Sequence, residues 1–272
     1  MKVSKFPRRW KYGALVNISA QDAIAYRVTM IIDWIVNLWS VLVMLYIWGT
    51  VFVGATTRLG EFDWQEMKTY LVIAHALNVF VVSGVSWLVA GQIRDGSIVT
   101  DLTRPIDYIS AKFVEQFGGS LMNGVAGSGL VALLSIIFFN LLPPPSLIAA
   151  MLFIVSALLG YVVSFLIGFV LALSAAWLMN NEGIGWMVWF ASRLLSGTVI
   201  PLSLFPDWLR GLPGVLPFRA TVSDPLTIYL GHATGVNALA VVGIQMFWIV
   251  VLYAGVRWLL PKALRRLDIM GG

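Results

Sequence analysis

A chain of 272 residues that is 59% hydrophobic, contains 12 Trp and carries only 11% charged residues is excluded from the ordinary soluble class. With no cysteine, disulfides and thiolate metal sites are excluded too. The 18 basic against 13 acidic residues fit basic loops at a membrane surface rather than nucleic-acid binding.

The first 27 residues, MKVSKFPRRWKYGALVNISAQDAIAYR, are basic but lack the continuous apolar core and small-residue cleavage site of a removable signal peptide. They are expected to remain as a cytoplasmic tail with an interfacial helix, Trp10 and Tyr12 sitting at headgroup depth beside Arg8, Arg9 and Lys11. Apolar runs near twenty residues, the length that crosses a bilayer core, predict six spans: 28–53, 69–90, 118–139, 147–173, 183–200 and 236–260. Asn180, Asn181 and Glu182 interrupt the stretch before the fifth, so five spans is the competing count. The three prolines of LLPPPS, Leu141 to Ser146, end any helix there.

Between the second and third spans lies RDGSIVTDLTRPIDY, Arg94 to Tyr108, which packs two Arg and three Asp into fifteen residues of a chain whose charged fraction is only 11%. A short helix in it would present Ile98 and Leu102 as apolar anchors, flanked by the charges of Arg94, Asp95, Asp101, Arg104 and Asp107; an ordinary solvated loop explains the charges but not the interleaved apolar residues. Spans three and four carry small residues every fourth position, Ser120, Gly124, Ser128 and Ala132, then Ser156, Gly160, Ser164, Gly168, Ala172 and Ala176. These faces are expected to pack helices closely, within one subunit or against another, or to line a pathway.

Asp33, His75 and Arg193 fall inside predicted spans, where an ionisable group is costly. Arg193 is expected either to pair with carbonyls or a carboxylate such as Glu182 or Asp33, or to meet an anionic substrate group or lipid head. His75 reads as a packing residue or a proton relay. Beyond the fifth span, residues 201–235 hold Pro201, Pro206, Trp208, Pro213 and Pro217, too apolar for a solvated loop and too broken for a span. Short re-entrant or interfacial helices on the outer side fit, with Trp208, Phe218 and Tyr229 as interfacial anchors.

Basic residues fix the orientation. Thirteen fall on one side: Lys2, Lys5, Arg8, Arg9, Lys11, Arg27, Arg94, Arg104, Lys112, Arg257, Lys262, Arg265 and Arg266; the other side has Arg58, Lys68, Arg210 and Arg219. Both termini and the Arg94–Tyr108 loop are therefore expected in the cytoplasm. The sequence has no His-Glu-x-x-His, no Gly-x-Ser-x-Gly and no phosphate-binding Gly-x-x-x-x-Gly-Lys-Ser/Thr loop. An ATP-driven function would need an ATPase on another chain.

The segments ISAQDAIAYR, GSIVTDLTRPID (with Gly96, Ile98, Leu102, Arg104 and Pro105) and SGTVIPLSLFPDWLRGLPGVLPF followed by DPLTIYLG together resemble the permease subunits of ATP-binding cassette exporters of the second (ABC-2) type, in the small bacterial six-span group. The resemblance covers nearly the whole chain. It implies an all-α polytopic membrane fold, like that of the compact type V exporters: an N-terminal interfacial helix, six transmembrane helices in one domain, and short outer re-entrant helices between spans five and six. It further implies a subunit of the bacterial inner membrane that pairs with a second permease, identical or related, and with two separately encoded ATPases. Those partners would hold ATP and Mg, and this chain no cofactor. Residues 91–117 would be the loop coupled to the ATPase. An intramembrane lipid-modifying enzyme, and an ATP-independent secondary carrier or vitamin-binding component, are the alternatives.

Overall fold

The computed structural model describes residues 27–54, 58–122, 124, 138–178 and 182–270. The expected interfacial helix and most of the third span, with Ser128 and Ala132, lie outside them. The described residues are helical apart from turns and one isolated β-bridge between Leu59 and Phe62. In chain order the helices are α1 (Arg27–Gly54), α2 (Trp64–Val81), α3 (Val85–Arg94), α4 (Ile98–Leu102), α5 (Tyr108–Met122), α6 (Leu147–Leu173), α7 (Glu182–Leu195), α8 (Asp207–Val215), α9 (Ser223–Tyr229) and α10 (Val236–Met270).

Local chemistry sets several boundaries. Asp63 and Glu66 form a reciprocal capping box at the start of α2, the Glu66 amide donating to Asp63 at 2.7 Å. The prolines before α6 hand over to Ser146, whose hydroxyl accepts from the Ala149 amide at 3.1 Å. Four stretches are long and apolar enough to cross a membrane: Ile32–Val53, Trp64–Arg94, Leu147–Ala176 and Val236–Arg266. They correspond to the first, second, fourth and sixth predicted spans.

Two expectations need correction. The second stretch starts earlier than predicted, and its helix is interrupted at Val82–Gly84, where α2 ends and α3 begins. The predicted fifth span, 183–200, is helical only to Leu195. At a rise of about 1.5 Å per residue α7 is roughly 20 Å long, short of a hydrocarbon core of about 30 Å. It stops because Gly197 takes φ +83 and places its carbonyl against the Tyr70 hydroxyl at 2.7 Å. A Cβ on Gly197 would lie 2.6 Å from that hydroxyl oxygen.

The centre of the fold is α6. Tyr161, Phe165 and Phe169 are fully buried in it, and Tyr161 sits edge-on to Phe113 and Phe117 with centroids 5.7 and 5.2 Å away. Much of the predicted small-residue strip packs against other parts of the chain, while Ser164 borders a cavity. Gly160 faces the backbone carbonyl of Thr221, which a Cβ would approach to 2.7 Å, and Gly168 faces Val85 at 2.9 Å. Ser156 donates to the Gln245 side-chain oxygen (2.9 Å), while the Gln245 amide donates to the carbonyls of Ser156 (3.0 Å) and Ala220 (2.8 Å). A buried amide satisfied at both ends locks α10, α6 and the 201–235 segment together.

The helices run between two distinct ends. At one, Arg257 on α10 donates to Asp107 at 2.9 Å, tying the last helix to the loop between α4 and α5. At the other, the Tyr229 hydroxyl donates to the Leu142 carbonyl (3.1 Å) and Lys68 to the Phe139 carbonyl (3.3 Å), while Gln65 donates to Asn140.

Candidate functional site

The charged elbow from α3 to α5 is built by its turn residues. Asp95 accepts from the Ser97 amide at 2.9 Å, and Gly96 adopts φ +76, so the chain reverses and restarts as α4. A second turn ends at Asp107, which accepts from both the amide (3.0 Å) and the hydroxyl (2.9 Å) of Ser110 at the start of α5.

Asp101 anchors the elbow inward. It takes the Lys112 ammonium at 2.8 Å, Gln92 at 2.8 Å and Arg104 at 3.2 Å, and Lys112 reaches on to Glu115 at 3.0 Å. Tyr108 donates to the other end of Gln92 at 2.9 Å. Burial pushes the Asp101 carboxyl up, but the hydrogen bonds from Lys112 and Gln92 and the nearby cations outweigh it and hold the group below the ordinary carboxylate range. Asp107 behaves alike: burial raises it, and Ser110 and Arg257 hold it low. Asp95 is also lowered, chiefly by its hydrogen bonds with Ser97.

The elbow corrects the anchor assignment. Ile98 is 0% exposed and belongs to the hydrophobic core, and Leu102 packs against that core. Both face inward because Asp101, between them on the same short helix, is pulled toward Lys112. The outward surface consists of Val99, 59% exposed, with Thr100, Thr103, Arg104 and Pro105, beside the exposed Arg94 and Asp95. The spacing of apolar residues in IVTDL does not say which one faces in.

Residues 201–235 fold as a 3₁₀ turn at Leu202–Leu204, α8, a second 3₁₀ turn at Pro217–Thr221, and α9. Pro201 and Pro206 precede the first turn and α8, Pro217 opens the second turn, and Pro213 lies buried within α8. Trp208 is exposed, whereas Tyr229 is buried and hydrogen bonded rather than an interfacial anchor. Asp224 is fully buried; Arg219 contacts one of its oxygens at 2.7 Å, and the other has no partner.

Of Asp33, His75 and Arg193, the structure brings two together. His75 and Arg193 line one cavity of about 380 Å³, with His75 hydrogen bonded to Asn37 at 3.0 Å. Asp33 is exposed on α1 and makes no ion pair with Arg193. Glu182 and Arg193 are eleven residues apart on α7, roughly 16 Å along its axis, too far for direct pairing. The Arg193 guanidinium instead lies over the Trp189 ring, 5.1 Å from its centroid. Asn78, Thr198 and Ser196 continue this polar seam, with Ser196 and Thr198 hydroxyls 2.8 Å apart. Sequence reading missed the seam and the break at Val82–Gly84; the one signal was the Ser-Gly pair inside the apolar run VVSGVSW. Among the described residues no group of three or more His, Asp or Glu stands together as a metal site.

A family profile described as ABC-2 family transporter protein matches residues 38–271. A comparison with curated proteins finds no match.

Proposed function

Because the chain belongs to the ABC-2 family of transporter membrane proteins, we propose that it is the permease subunit of an ATP-driven exporter, working with a second permease and two separate ATPase subunits that bind ATP and Mg. It sits in a bacterial inner membrane with both termini in the cytoplasm and crosses six times, α7 and the turns that follow forming the fifth crossing. Residues 201–235 re-enter from the outer side. Two contacts support the re-entry: Gly231 packs on Pro145, just before α6, while Thr221 packs on Gly160, halfway along it. Between them the segment travels roughly 20 Å down the helix.

The elbow is the docking element. Its rigidity, given by Asp101, Lys112 and Gln92, together with its outward Val99, Thr103 and Arg104, is the observation that carries this role. Closure of the paired ATPases on ATP draws the two elbows together. The rigid turns pass that movement to α3 and, through Asp107 and Arg257, to α10. The nucleotide shifts the inward-open and outward-open states only by its differential affinity for them.

The full chain purified from native membranes is expected to bring with it a chain that has a phosphate-binding loop and Mg-dependent ATPase activity. The double substitution Val99→Asp with Arg104→Glu should lower its recovery at least tenfold while leaving insertion intact. Undiminished recovery rejects the docking role. Ile98→Ala serves as the contrast, since it removes core contacts at a cost of about 3 kcal/mol.

A further inference from the structure

The interruption at Val82–Gly84 lies inside a stretch otherwise apolar enough to cross the membrane. Unwound backbone at membrane depth persists only where protein covers it or where it lines a cavity, and interrupted helices of this kind commonly frame ligand sites. Here it lines a cavity of about 190 Å³ between the break, α6, α7 and the 3₁₀ turn at Pro217–Thr221. Asn78, Ser83, Ser86, Ser164, Ser192 and Arg193 supply its polar wall. Arg193 also borders the larger neighbouring cavity, whose far wall is the apolar face of α1 at Trp39, Val43 and Met44. Trp39 is 68% exposed, so that wall continues out to the lipid-facing surface.

Among the described residues no carboxylate forms an ion pair with the Arg193 guanidinium, which lies over the neutral Trp189 ring. Arg193 lies in the last turn of α7, and a cation held at membrane depth is unfavourable by up to about 3 kcal/mol on insertion scales. Hydroxyls on one side and an apolar wall on the other match a ligand with a charged head and an oily body, the head carrying the charge that Arg193 lacks.

We infer that the crevice between the broken second span and α7 binds the anionic head of an amphiphile, a phosphate or carboxylate whose oxygens meet Arg193 and the surrounding serines while the apolar body lies along α1. As the substrate class of a transporter this rests on the permease reading; as a binding site it does not. Arg193 suits a phosphate or carboxylate, either of which can turn two oxygens to two parallel N–H donors.

The test uses the full chain in phosphatidylcholine nanodiscs and follows thermal unfolding, since a ligand of the folded state raises the melting temperature. Dodecyl phosphate is expected to raise it by several degrees, dodecyltrimethylammonium and buffer phosphate not at all. Arg193→Gln should abolish the rise and Arg193→Lys should keep part of it. Equal shifts with the cationic amphiphile or with inorganic phosphate, or a full shift in Arg193→Gln, overturn the inference. If Arg193→Gln does not insert, the head-group comparison on the unaltered chain and on Arg193→Lys still decides. A matching rise with phosphatidylglycerol identifies the head as that of a resident lipid; a rise with dodecyl phosphate alone identifies a single-chain amphiphile, and both outcomes sustain the chemistry. No ATPase is required, so loss of partner recovery in the docking experiment leaves this result standing.

Discussion

Asp101 decides how the elbow is presented. The Lys112 side chain is only 6% exposed, and Asp101 and Glu115 both reach its ammonium. Removing the Asp101 charge leaves that ammonium under-compensated, so Asp101→Asn should cost on the order of 2 kcal/mol near neutral pH. The pH dependence has a definite sign. The folded carboxyl is held below its ordinary value, so its contribution is complete above an unfolded value of about 3.9 and disappears as pH falls through the folded one. The melting temperature of the wild type should therefore approach that of Asp101→Asn as pH falls below about 4, after allowing for Asp107, which loses its hold on Arg257 in the same acid range. Parallel melting curves for the two proteins across that range would exclude the role given to Asp101. The same residue explains why Ile98 faces inward where an outward anchor is expected: a five-residue helix offers too little periodicity to fix its inward face, and Lys112, eleven residues from Asp101, fixes it instead.

At the scale of the element, α6 shows how a small-residue strip becomes specific. The four-residue spacing identifies a packing face, and each position meets a different neighbour: Ser156 meets Gln245, Gly160 the Thr221 carbonyl, Gly168 the Val85 side chain. Backbone yields less than side chain, so Gly160 is the sensitive position. Gly160→Leu should displace the Pro217–Thr221 turn at a cost of about 2 kcal/mol or more and lower the melting temperature by several degrees. Gly243→Ala, where a Cβ meets nothing within 4 Å, should leave it unchanged. Equal melting temperatures for the two variants would mean that the turn does not press on α6. Length matters as much as packing. The apolar run of the fifth predicted span extends beyond α7, but the left-handed backbone at Gly197 and its contact with Tyr70 end the helix after fourteen residues.

For the whole molecule, the two ends of the helix bundle carry the orientation. The elbow and the C-terminal half of α10 share one end through Arg257 and Asp107, and the 138–145 and 229–232 turns share the other. The chain has no cysteine, so single cysteines can be introduced into an otherwise unaltered protein. In sealed right-side-out vesicles, Thr103→Cys should resist a membrane-impermeant maleimide until the vesicles are opened, whereas Trp208→Cys should react at once. Labelling of Thr103→Cys from outside would reverse the orientation and remove the elbow from contact with any cytoplasmic ATPase.

The amino-acid sequence by itself determined the all-helical membrane class, four of the predicted spans, the packing face of α6 and the turn-forming prolines. These follow from hydropathy, small-residue spacing and backbone chemistry, all of which act within a few residues of one another along the chain. Only the tertiary structure decided that Ile98 faces inward, that α7 stops at Leu195, that the second span breaks at Val82–Gly84, and that Arg193 and His75 line one cavity. Three of these depend on a partner distant in sequence: Lys112 for Asp101 in the elbow, Tyr70 for Gly197, and His75 for Arg193. Local patterning reports how much apolar surface an element must hide, and only the packed bundle determines what it is hidden against.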